Sequence, residues 1–591
     1  MRGDQLLAIS TTLVVLATAS AATAAPRQGP CAEITAACER AGFVQGGAKA
    51  GSGLQVDCIV PIMQGTFQRP KAGKPLPHIS AQLVAACREE NPRFGQRNTP
   101  RPPPGEDPLA PLPPPATPAE PAQSTPQTPL TGAKRPNIVF ILTDDLALNL
   151  VQYMPHVLKM QKDGTTFANY FVTDSLCCPS RSSIFTGRYP HNTGIFRNTG
   201  RDGGYLVFRD RGHERATFAT ALAAAGYRTA MLGKYLNGYL PAQHGVPPGW
   251  SEWDVAGNAY REFNYELNQN GKVARFGNSA TDYLTDVLSD NATRFIKAAA
   301  GTPFVIEVAT FAPHAPYTPA PRDAEALPGL RAPRTPSFNA APDADAPKWL
   351  LAHPMLSDAE IARIDADFRK RAQSVQAVDK MIGELQAAVA AVGEENNTYF
   401  VFSSDNGYHM GEHRLMPGKM TAFDTDIHVP LIVTGPGVPA GLTVDEIVEN
   451  IDLYATFTEL GGVAASADVD GRSLVPLLHG EKVSDWRTVA LIEHRGPNND
   501  RSDPDAPALR SGNPTTYEAI RARTSLYVEY ASGEKEYHNL TSDPHELRNS
   551  YGSLSGAEQS SLHATLEAVK SCRGVQSCSA AERPTRSALQ R

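Results

Sequence analysis

From Arg135 onward, short apolar runs bounded by turn residues alternate with helical segments, and this alternation limits the possible fold more than any other feature. Four runs are the clearest strand candidates: residues 137–142, 227–232, 304–309 and 399–402. Helices are predicted over 216–225, 280–299 and 358–392, the last with Ser357 as its N-cap. Because strands buried on both faces are apolar throughout, the pattern predicts an α/β fold with a mostly parallel sheet flanked by helices.

After about residue 485 the pattern changes to short β-rich pieces and a final helix. Strands are predicted over 488–493, 517–523 and 526–530, and a helix over 557–569. We therefore expect a main domain over residues 135–484, followed by a smaller antiparallel C-terminal subdomain and tail over 485–591.

The first 134 residues divide into three parts. Residues 1–25 have a basic start, an apolar stretch and the small-residue pattern Ala22-Thr23-Ala24, which is typical of a signal peptide. Residues 26–90 predict a small disulfide-held module, whose four cysteines allow three pairings that the sequence does not distinguish: Cys31, Cys38, Cys58 and Cys87. Residues 91–134 are rich in proline and predict an extended linker.

Composition excludes some function classes. Lys and Arg number 55 against 62 Asp and Glu, a net charge of −7, which argues against a nucleic-acid partner. Beyond the N-terminus no apolar run reaches eighteen residues, so no membrane span is expected. The leader and the cysteine usage, including Cys572 and Cys578 around a short loop, predict an exported protein, periplasmic or secreted.

Polar residues follow each of the four strands. Asp144 and Asp145 follow the first and Asp405 and Asn406 the fourth, while Lys234 and His314 follow the second and third. Ligands of open α/β sheets bind outside the carboxyl ends of the strands, so these side chains should converge. Three carboxylates and an amide oxygen suit calcium or magnesium. Each residue alone is better explained as a turn former, and only the repetition of the arrangement favours a metal site.

The segment Cys177-Cys178-Pro179-Ser180-Arg181 is the sharpest motif. Pro179 is typical of the first position of a short helix, and Gly187 is typical of the residue that ends one. Cys177 would then lie at a helix N-terminus, where an anion is favoured and where a thiolate is expected to have a lowered pKa. Arg181, one turn further, could reach the same anion. A disulfide or two small buried thiols are the alternatives.

This segment, followed by Thr186-Gly187, resembles the signature of the type I sulfatases. The resemblance covers about residues 135–570 through ordered motifs: Asp144-Asp145, Gly233-Lys234, Ala-Pro-His314, Asp405-Asn406-Gly407 and Gly418-Lys419. Segments 233–239, 247–253, 282–288 and 405–409 look most similar to N-acetylglucosamine-6-sulfatases. The family implies an alkaline-phosphatase-like sandwich with a large mixed, mostly parallel sheet.

The resemblance also implies the site chemistry. Cys177 would be oxidised to formylglycine (3-oxoalanine) by a formylglycine-generating maturation enzyme and would act as the nucleophile. A divalent cation, calcium with magnesium as the other possibility, would be held by the family's ligand positions: Asp144, Asp145, residue 177, Asp405 and Asn406. Charge on the sulfate would be stabilised by three cations, Arg181, Lys234 and Lys419, and His314 would protonate the leaving sugar oxygen.

The predicted function is hydrolysis of an O-sulfate from a sulfated sugar, with N-acetylglucosamine 6-sulfate as the leading substrate. Leu236 stands where many arylsulfatases carry a histidine, which weakens an arylsulfatase assignment. Two alternatives stay open: a phosphonate or phosphate ester hydrolase of the same superfamily, and a non-catalytic glycan-binding protein. His409 and His413 either contact substrate or lie on a surface turn.

Overall fold

The computed structural model describes residues 29–45, 52–64, 74–77, 79–91, 94, 134–501 and 503–583. The chain divides into two compact units, Met1–Thr125 and Pro126–Arg591. The predicted signal peptide and most of the predicted linker lie outside the described residues. No helix within the described ranges combines the length and the apolar character that a bilayer span requires.

The first unit is a small helical module held by two disulfides. Its helices are α1 (Pro30–Arg40), α2 (Val60–Gln64) and α3 (Ala81–Glu90), with a π-helical turn at Leu54–Ile59. The bonds Cys31–Cys87 and Cys38–Cys58 select one of the three possible pairings. Ile34 and Phe43 are fully buried beside these cysteines. Because so small a core stabilises a chain weakly, disulfides that restrict the unfolded state supply much of the stability.

The second unit is built on a ten-stranded mixed sheet with the strand order β10-β2-β9-β8-β1-β7-β3-β4-β5-β6. The strands are β1 (Asn137–Thr143), β2 (Thr165–Phe171), β3 (Arg228–Lys234), β4 (Glu252–Ala256), β5 (Glu266–Gln269), β6 (Lys272–Arg275), β7 (Phe304–Ala309), β8 (Thr398–Ser404), β9 (Leu431–Thr434) and β10 (Leu442–Glu449). The central strands β8, β1, β7, β3 and β4 are parallel. The four predicted strands are confirmed, and they form the middle of the sheet.

Helices cover both faces of this sheet. They are α4 (Pro155–Asp163), α5 (Cys177–Thr186), α6 (Pro190–Thr193), α7 (Gly204–Asp210), α8 (Phe218–Ala224), α9 (Leu284–Ala299), α10 (Lys348–Leu351), α11 (Asp358–Ala391), α12 (Asp424–Ile427), α13 (Asp452–Leu460) and α14 (Val475–Leu478). Ser357 caps α11 as predicted, in a capping box with Glu360.

Strand β1 shows why its sequence is apolar throughout. All seven of its residues are buried. Phe140 packs into the cluster that contains residues of α5, α8 and α13, whereas Ile141 packs into the cluster on the opposite face with residues of α4, α9 and α11. A strand covered on both faces needs apolar residues at successive positions, so no alternation appears.

A second sheet is antiparallel, as predicted for the C-terminal part. Its strands β11 (Val489–His494), β12 (Tyr517–Ala522), β13 (Ser525–Tyr530) and β14 (Lys535–Asn539) pair in sequence order. One face joins the main core through Ile492 and Val528, and the other packs on α15 (Gly556–Val569) through Leu562 and Leu566. Helix α16 (Gly574–Ala581) follows, and the disulfide Cys572–Cys578 joins the turn before this helix to the helix itself.

Candidate active site

The carboxyl ends of β1 and β8 bring the predicted acidic residues together. The backbone N–H of Asp145 donates to Asp405 Oδ1 at 3.0 Å, and Asn406 Nδ2 donates to Asp145 Oδ1 at 2.7 Å. Asp145 has φ of +64°, a left-handed conformation that Asp tolerates better than most residues. All of these side chains are buried, together with Asp144. The predicted convergence at one edge of the sheet is confirmed.

Helix α5 begins at Cys177, two residues before the predicted start at Pro179. The predicted start is wrong because a proline is tolerated anywhere in the first turn, where backbone N–H groups have no intrahelical partner. The predicted end is confirmed, since Gly187 follows the last helical residue with φ of +66°. A Cβ at Gly187 would lie 2.7 Å from Val469 and 2.8 Å from Tyr454, so only glycine fits.

Cys177 and Cys178 form no disulfide, and both are buried. The Cys177 thiol donates to Asp144 Oδ1 at 3.3 Å, and Lys419 Nζ donates to Cys177 Sγ at 2.8 Å. Burial, together with Asp144, raises the pKa of the Cys177 thiol well above its usual range. The expectation of a lowered pKa is wrong, because the loss of hydration and the adjacent carboxylates outweigh the helix N-terminus and the lysines. An unmodified Cys177 is therefore a neutral thiol here.

Two lysines are held by the acidic residues. Lys234 Nζ lies 2.5 Å from Asp144 Oδ2, and Lys419 Nζ lies 2.7 Å from Asp145 Oδ1. Burial alone would lower the pKa of both lysines, but the carboxylates outweigh it and raise both pKa values well above the usual range. Both side chains are therefore charged, and both face the Cys177 end of α5.

Arg181 joins three parts of the site. Its Nε donates to Asp405 Oδ2 at 2.8 Å and its Nη1 to the Lys234 carbonyl at 2.8 Å. Its Nη2 is buried, lies 4.0 Å from Asp144 Oδ2 and has no hydrogen-bond partner among the described residues. A buried guanidinium N–H without an acceptor is unfavourable, and beside Asp144 and the start of α5 this donor is free to bind an anionic ligand.

Gly233, directly before Lys234, has φ of +93°, and a Cβ there would lie 1.9 Å from the Ala309 carbonyl oxygen. The glycine therefore lets β3 approach β7 closely where β7 leads to His314. His314 Nδ1 lies 2.7 Å from the Ala315 carbonyl oxygen, and its Nε2 contacts the Asp505 carboxylate. Both ring nitrogens thus face acceptors.

Four of the site residues are spaced as metal ligands would be. Donor atoms of Asp144, Asp145, Cys177 and His314 all lie within 4.8 Å of one another. Asn406 Oδ1 is buried without a hydrogen-bond partner among the described residues, as an oxygen available to a cation would be. These carboxylate and amide oxygens fit a hard divalent cation.

Asp405 is outside that closely spaced group. Its Oδ1 accepts from the backbone N–H groups of Asp145 and Asn406, and its Oδ2 accepts from Arg181. A carboxylate has about four lone-pair sites, so these bonds leave it one further position. His314, predicted to donate a proton rather than to bind metal, stands in the group instead.

Sequence reasoning missed two residues of the site, Asp505 and Tyr260. Asp505 contacts His314 and lies 3.2 Å from Lys419. Tyr260 lies with its ring 4.5 Å from that of His314 and 5.0 Å from Lys234 Nζ. Asp505 and Tyr260 both lie on irregular segments, where no periodic pattern signals them.

The alternative that placed His409 and His413 on a surface turn is wrong, because both are buried. His409 Nδ1 lies 2.9 Å from Asp426 Oδ1, and His413 stacks on Phe423 with ring centroids 4.1 Å apart. Burial lowers the pKa of His413 to about 3, so it is neutral and part of the packing.

Comparison with known proteins agrees with this geometry. Residues 136–463 match the family model described as Sulfatase, and residues 411–571 match N-sulphoglucosamine sulphohydrolase, C-terminal. Human N-acetylglucosamine-6-sulfatase is 35% identical over 477 residues, covering 75% of this chain and 86% of the relative. The N-acetylglucosamine-6-O-sulfatase of Bacteroides thetaiotaomicron is 26% identical over 503 residues, covering 72% and 84%.

Solved structures agree on the fold. A protein in complex with its substrate D-glucosamine-2-N,6-O-disulfate superposes with a TM-score of 0.61 at 23% identity, over 77% of this chain and 100% of that chain. The phosphonate monoester hydrolase of Silicibacter pomeroyi gives a TM-score of 0.55 at 22% identity, over 72% and 93%. The predicted alkaline-phosphatase-like fold is confirmed. Membership of the sulfatase family implies a formylglycine residue and a divalent metal. The chain belongs to the sulfatase family and is a sulfuric ester hydrolase.

Proposed function

We propose that this enzyme releases the 6-O-sulfate of N-acetylglucosamine or of a glucosamine-containing saccharide. The human and the Bacteroides relatives carry this activity in their names. The observation that carries the proposal is the position of Cys177, which begins a helix beside Lys419 and Asp144. A nucleophile at a helix N-terminus, facing cations, suits attack on a tetrahedral anion such as sulfate.

The cations around Cys177 have a direct role in this proposal. Formylglycine at position 177, once formed, supplies a hydrated aldehyde as the nucleophile toward sulfur. Arg181 offers its unpartnered Nη2, and Lys234 and Lys419 offer buried ammonium groups to the sulfate oxygens. Since these donors are fixed before substrate binds, they would stabilise the charge that increases on those oxygens during S–O cleavage.

We assign a divalent cation to Asp144, Asp145, Asp405 and Asn406, with residue 177 beside it, and calcium is the proposed ion with magnesium as the alternative. When bound, the cation would orient one sulfate oxygen and act as a Lewis acid. Calcium at about 100 times its Kd should stabilise the fold by about 2.7 kcal/mol, measured as a rise in Tm. The Asp145→Asn variant should lose this rise, whereas the matched control Asp163→Asn, on the exposed end of α4, should keep it. Equal rises in both variants would contradict the assignment.

His314 is the proposed proton donor to the leaving sugar oxygen. Its Nδ1 faces the Ala315 carbonyl and its Nε2 faces the Asp505 carboxylate, so the proton for the leaving oxygen would be the one that Nε2 shares with Asp505. An alkyl leaving group needs this proton, whereas 4-nitrophenolate does not. His314→Ala should therefore lose at least about tenfold more turnover on a sugar sulfate than on 4-nitrophenyl sulfate. Equal losses on both esters would assign His314 to sulfate binding instead.

The test of the function is sulfate release, measured by ion chromatography from matured enzyme. N-acetylglucosamine 6-sulfate should be turned over faster than the 3-sulfate isomer or glucose 6-sulfate, with Cys177→Ala as the blank. Absence of sulfate release from every sulfated glucosamine, with formylglycine present, would overturn the proposal.

A phosphonate or phosphate ester hydrolase is the second candidate, because a phosphonate monoester hydrolase shares the fold. The two activities separate when sulfate, phosphate and phosphonate esters of one alcohol are compared. The proposal predicts the highest kcat/KM for the sulfate ester, and a preference for the phosphonate ester would favour the second candidate.

We also propose that the protein is exported and that residues 26–90 form a separate module before a linker and the catalytic part. The disulfides Cys31–Cys87 and Cys38–Cys58 support an oxidising compartment. Fractionation of the host with N-terminal sequencing of the mature chain tests this, and a retained residue 1–25 segment in the cytoplasm would contradict it.

A further inference from the structure

The connection between β11 and β12 is unusual for neighbouring antiparallel strands. It runs from Arg495 to Thr516, whereas hairpin loops usually have about two to five residues. Long irregular connections inside a compact fold are commonly functional. This connection carries Asp505, whose side chain is only 1% exposed and contacts the site.

The Asp505 carboxylate is held by four donors. Its Oδ2 accepts from Asn198 Nδ2 at 2.8 Å and from Asn237 Nδ2 at 2.9 Å. Its Oδ1 faces His314 Nε2 and lies 3.2 Å from Lys419 Nζ. These three hydrogen bonds and the ion pair surround a carboxylate that is almost fully buried, so its partners are side chains of the protein.

The four donors come from four separate segments of the chain. Asn198 lies between α6 and α7, Asn237 follows β3, His314 follows β7 and Lys419 follows β8. Asp505 therefore fixes the relative positions of side chains that no common helix or strand holds.

The effect on Lys419 is geometric. Lys419 Nζ donates to Cys177 Sγ at 2.8 Å and to Asp145 Oδ1 at 2.7 Å, and it forms an ion pair with Asp505 Oδ1 at 3.2 Å. Without the Asp505 charge, the ammonium group would be held from one side only and could move away from residue 177.

We propose that Asp505 is a positioning residue of the active site, whose carboxylate fixes the ring of His314 through Nε2 and holds Lys419 beside residue 177. This inference rests on the roles proposed above for those two residues. Asp505 acts through them and does not itself touch substrate.

Asp505→Asn is the sharpest test because an amide cannot satisfy this site. If its NH2 group faces Asn198 and Asn237, it meets two donors, and if it faces His314 and Lys419, it meets two others. We expect kcat on the sulfated sugar to fall about 10- to 100-fold, as for other residues that orient catalytic groups, with KM within about threefold. Asp505→Ser, which removes the charge without adding an amide, should lose a similar amount.

Asp503→Asn is the matched control on the same connection. Asp503 accepts from Asn498 Nδ2 at 2.9 Å, from Asn198 Nδ2 at 3.3 Å and from the backbone N–H of Asp505 at 3.0 Å, and its described contacts include neither His314 nor Lys419. The kcat of Asp503→Asn should stay within about threefold of the wild-type value, since asparagine still offers an oxygen to the Asp505 N–H and leaves the Asp505 carboxylate in place. Thermal unfolding and formylglycine occupancy are measured for every variant, so that rates refer to folded, matured protein.

The outcomes separate cleanly. A normal kcat with raised KM in folded Asp505→Asn or Asp505→Ser would overturn the inference and make Asp505 a sugar-binding residue. An equal loss in Asp503→Asn would overturn it in favour of loop folding. Absence of sulfate release by the wild-type enzyme would instead contradict the proposed function, which is a different result.

Discussion

The second unit contains two buried clusters of charge, and they differ in how completely their polar atoms are paired. In the Arg487 cluster, formed by Tyr189, Glu449, Asp452, Arg487 and Glu582, every guanidinium nitrogen of Arg487 has an acidic partner. Tyr189 donates toward Glu449 at 2.8 Å and Glu582 at 2.7 Å. In the active site, Arg181 Nη2 and Asn406 Oδ1 are buried without partners among the described residues.

This difference separates a structural cluster from a ligand site. The Arg487 cluster connects α13, β10 and the chain after α16, and all three guanidinium nitrogens of Arg487 are paired within the protein. The active site holds comparable charges at comparable depth but leaves a donor and an acceptor unused. Because an unpaired buried polar atom costs about 1–3 kcal/mol, the two at the active site call for an explanation, and a bound ligand would supply it.

The largest expected effect is a loss of turnover when the nucleophile of the active site is removed. Cys177→Ala should lower turnover at least about 10⁴-fold, since the nucleophile is removed, while Tm changes by a few degrees at most. Cys178→Ala is the matched control, because Cys178 is an equally buried free thiol that packs in the core. Equal losses of sulfate release in the two variants would contradict the role of residue 177 as the nucleophile.

The opposite effect is expected at Arg487. Arg487→Met should lower the free energy of unfolding by about 3–5 kcal/mol, because it leaves Asp452 buried without its cation and Glu582 with Arg472 alone. The kcat of the protein that remains folded should be unchanged. Urea unfolding and initial rates on the same preparation check both values. A reduced kcat with unchanged stability would contradict a purely structural role for the Arg487 cluster.

Lys419→Met should lower catalysis more than stability, in contrast to Arg487→Met. We expect kcat to fall about 10²- to 10³-fold, since one donor to the developing charge is lost. Asp145 keeps its hydrogen bond from Asn406, so the stability change should be smaller than for Arg487→Met. Lys535→Met, at a partly exposed pair with Glu529, is the control and should alter neither value appreciably. A stability loss equal to that of Arg487→Met would show that both clusters are structural.

The smallest expected effect concerns the bond Cys572–Cys578. Replacing both cysteines by serine opens a loop with a sequence separation of 6 and should cost about 2 kcal/mol of unfolding free energy. Because α16 leads directly to Glu582, the loss should be less than additive with Arg487→Met. Strict additivity in a double-mutant cycle would separate the disulfide from the Arg487 cluster.

The parts of the molecule that repeat a local pattern could be predicted from the sequence. The apolar run of β1 and the acids after it have local signals, as does the Ser357 cap of α11. Buried strands and capped helices are encoded by neighbouring residues, so their bounds were predicted to within a few positions.

Features that depend on tertiary contacts could not be predicted. Asp505 lies on an irregular connection far in sequence from His314, and no period or spacing links them. The pKa of Cys177 depends on burial and on Asp144, which the local helix position does not reveal. The Arg487 cluster likewise joins residues from distant segments. Long-range electrostatic partners are set by the fold, and a single sequence carries no direct signal for them.

The central claim is that residue 177 is a modified nucleophile in a cation-lined site. Mass spectrometry of the tryptic peptide from Asp163 to Arg181, taken from protein matured in its own host, tests it most directly. The account predicts an aldehyde or its hydrate at position 177 and an unmodified thiol at Cys178. Two unmodified thiols in a preparation that still releases sulfate, or a disulfide through Cys177, would contradict it.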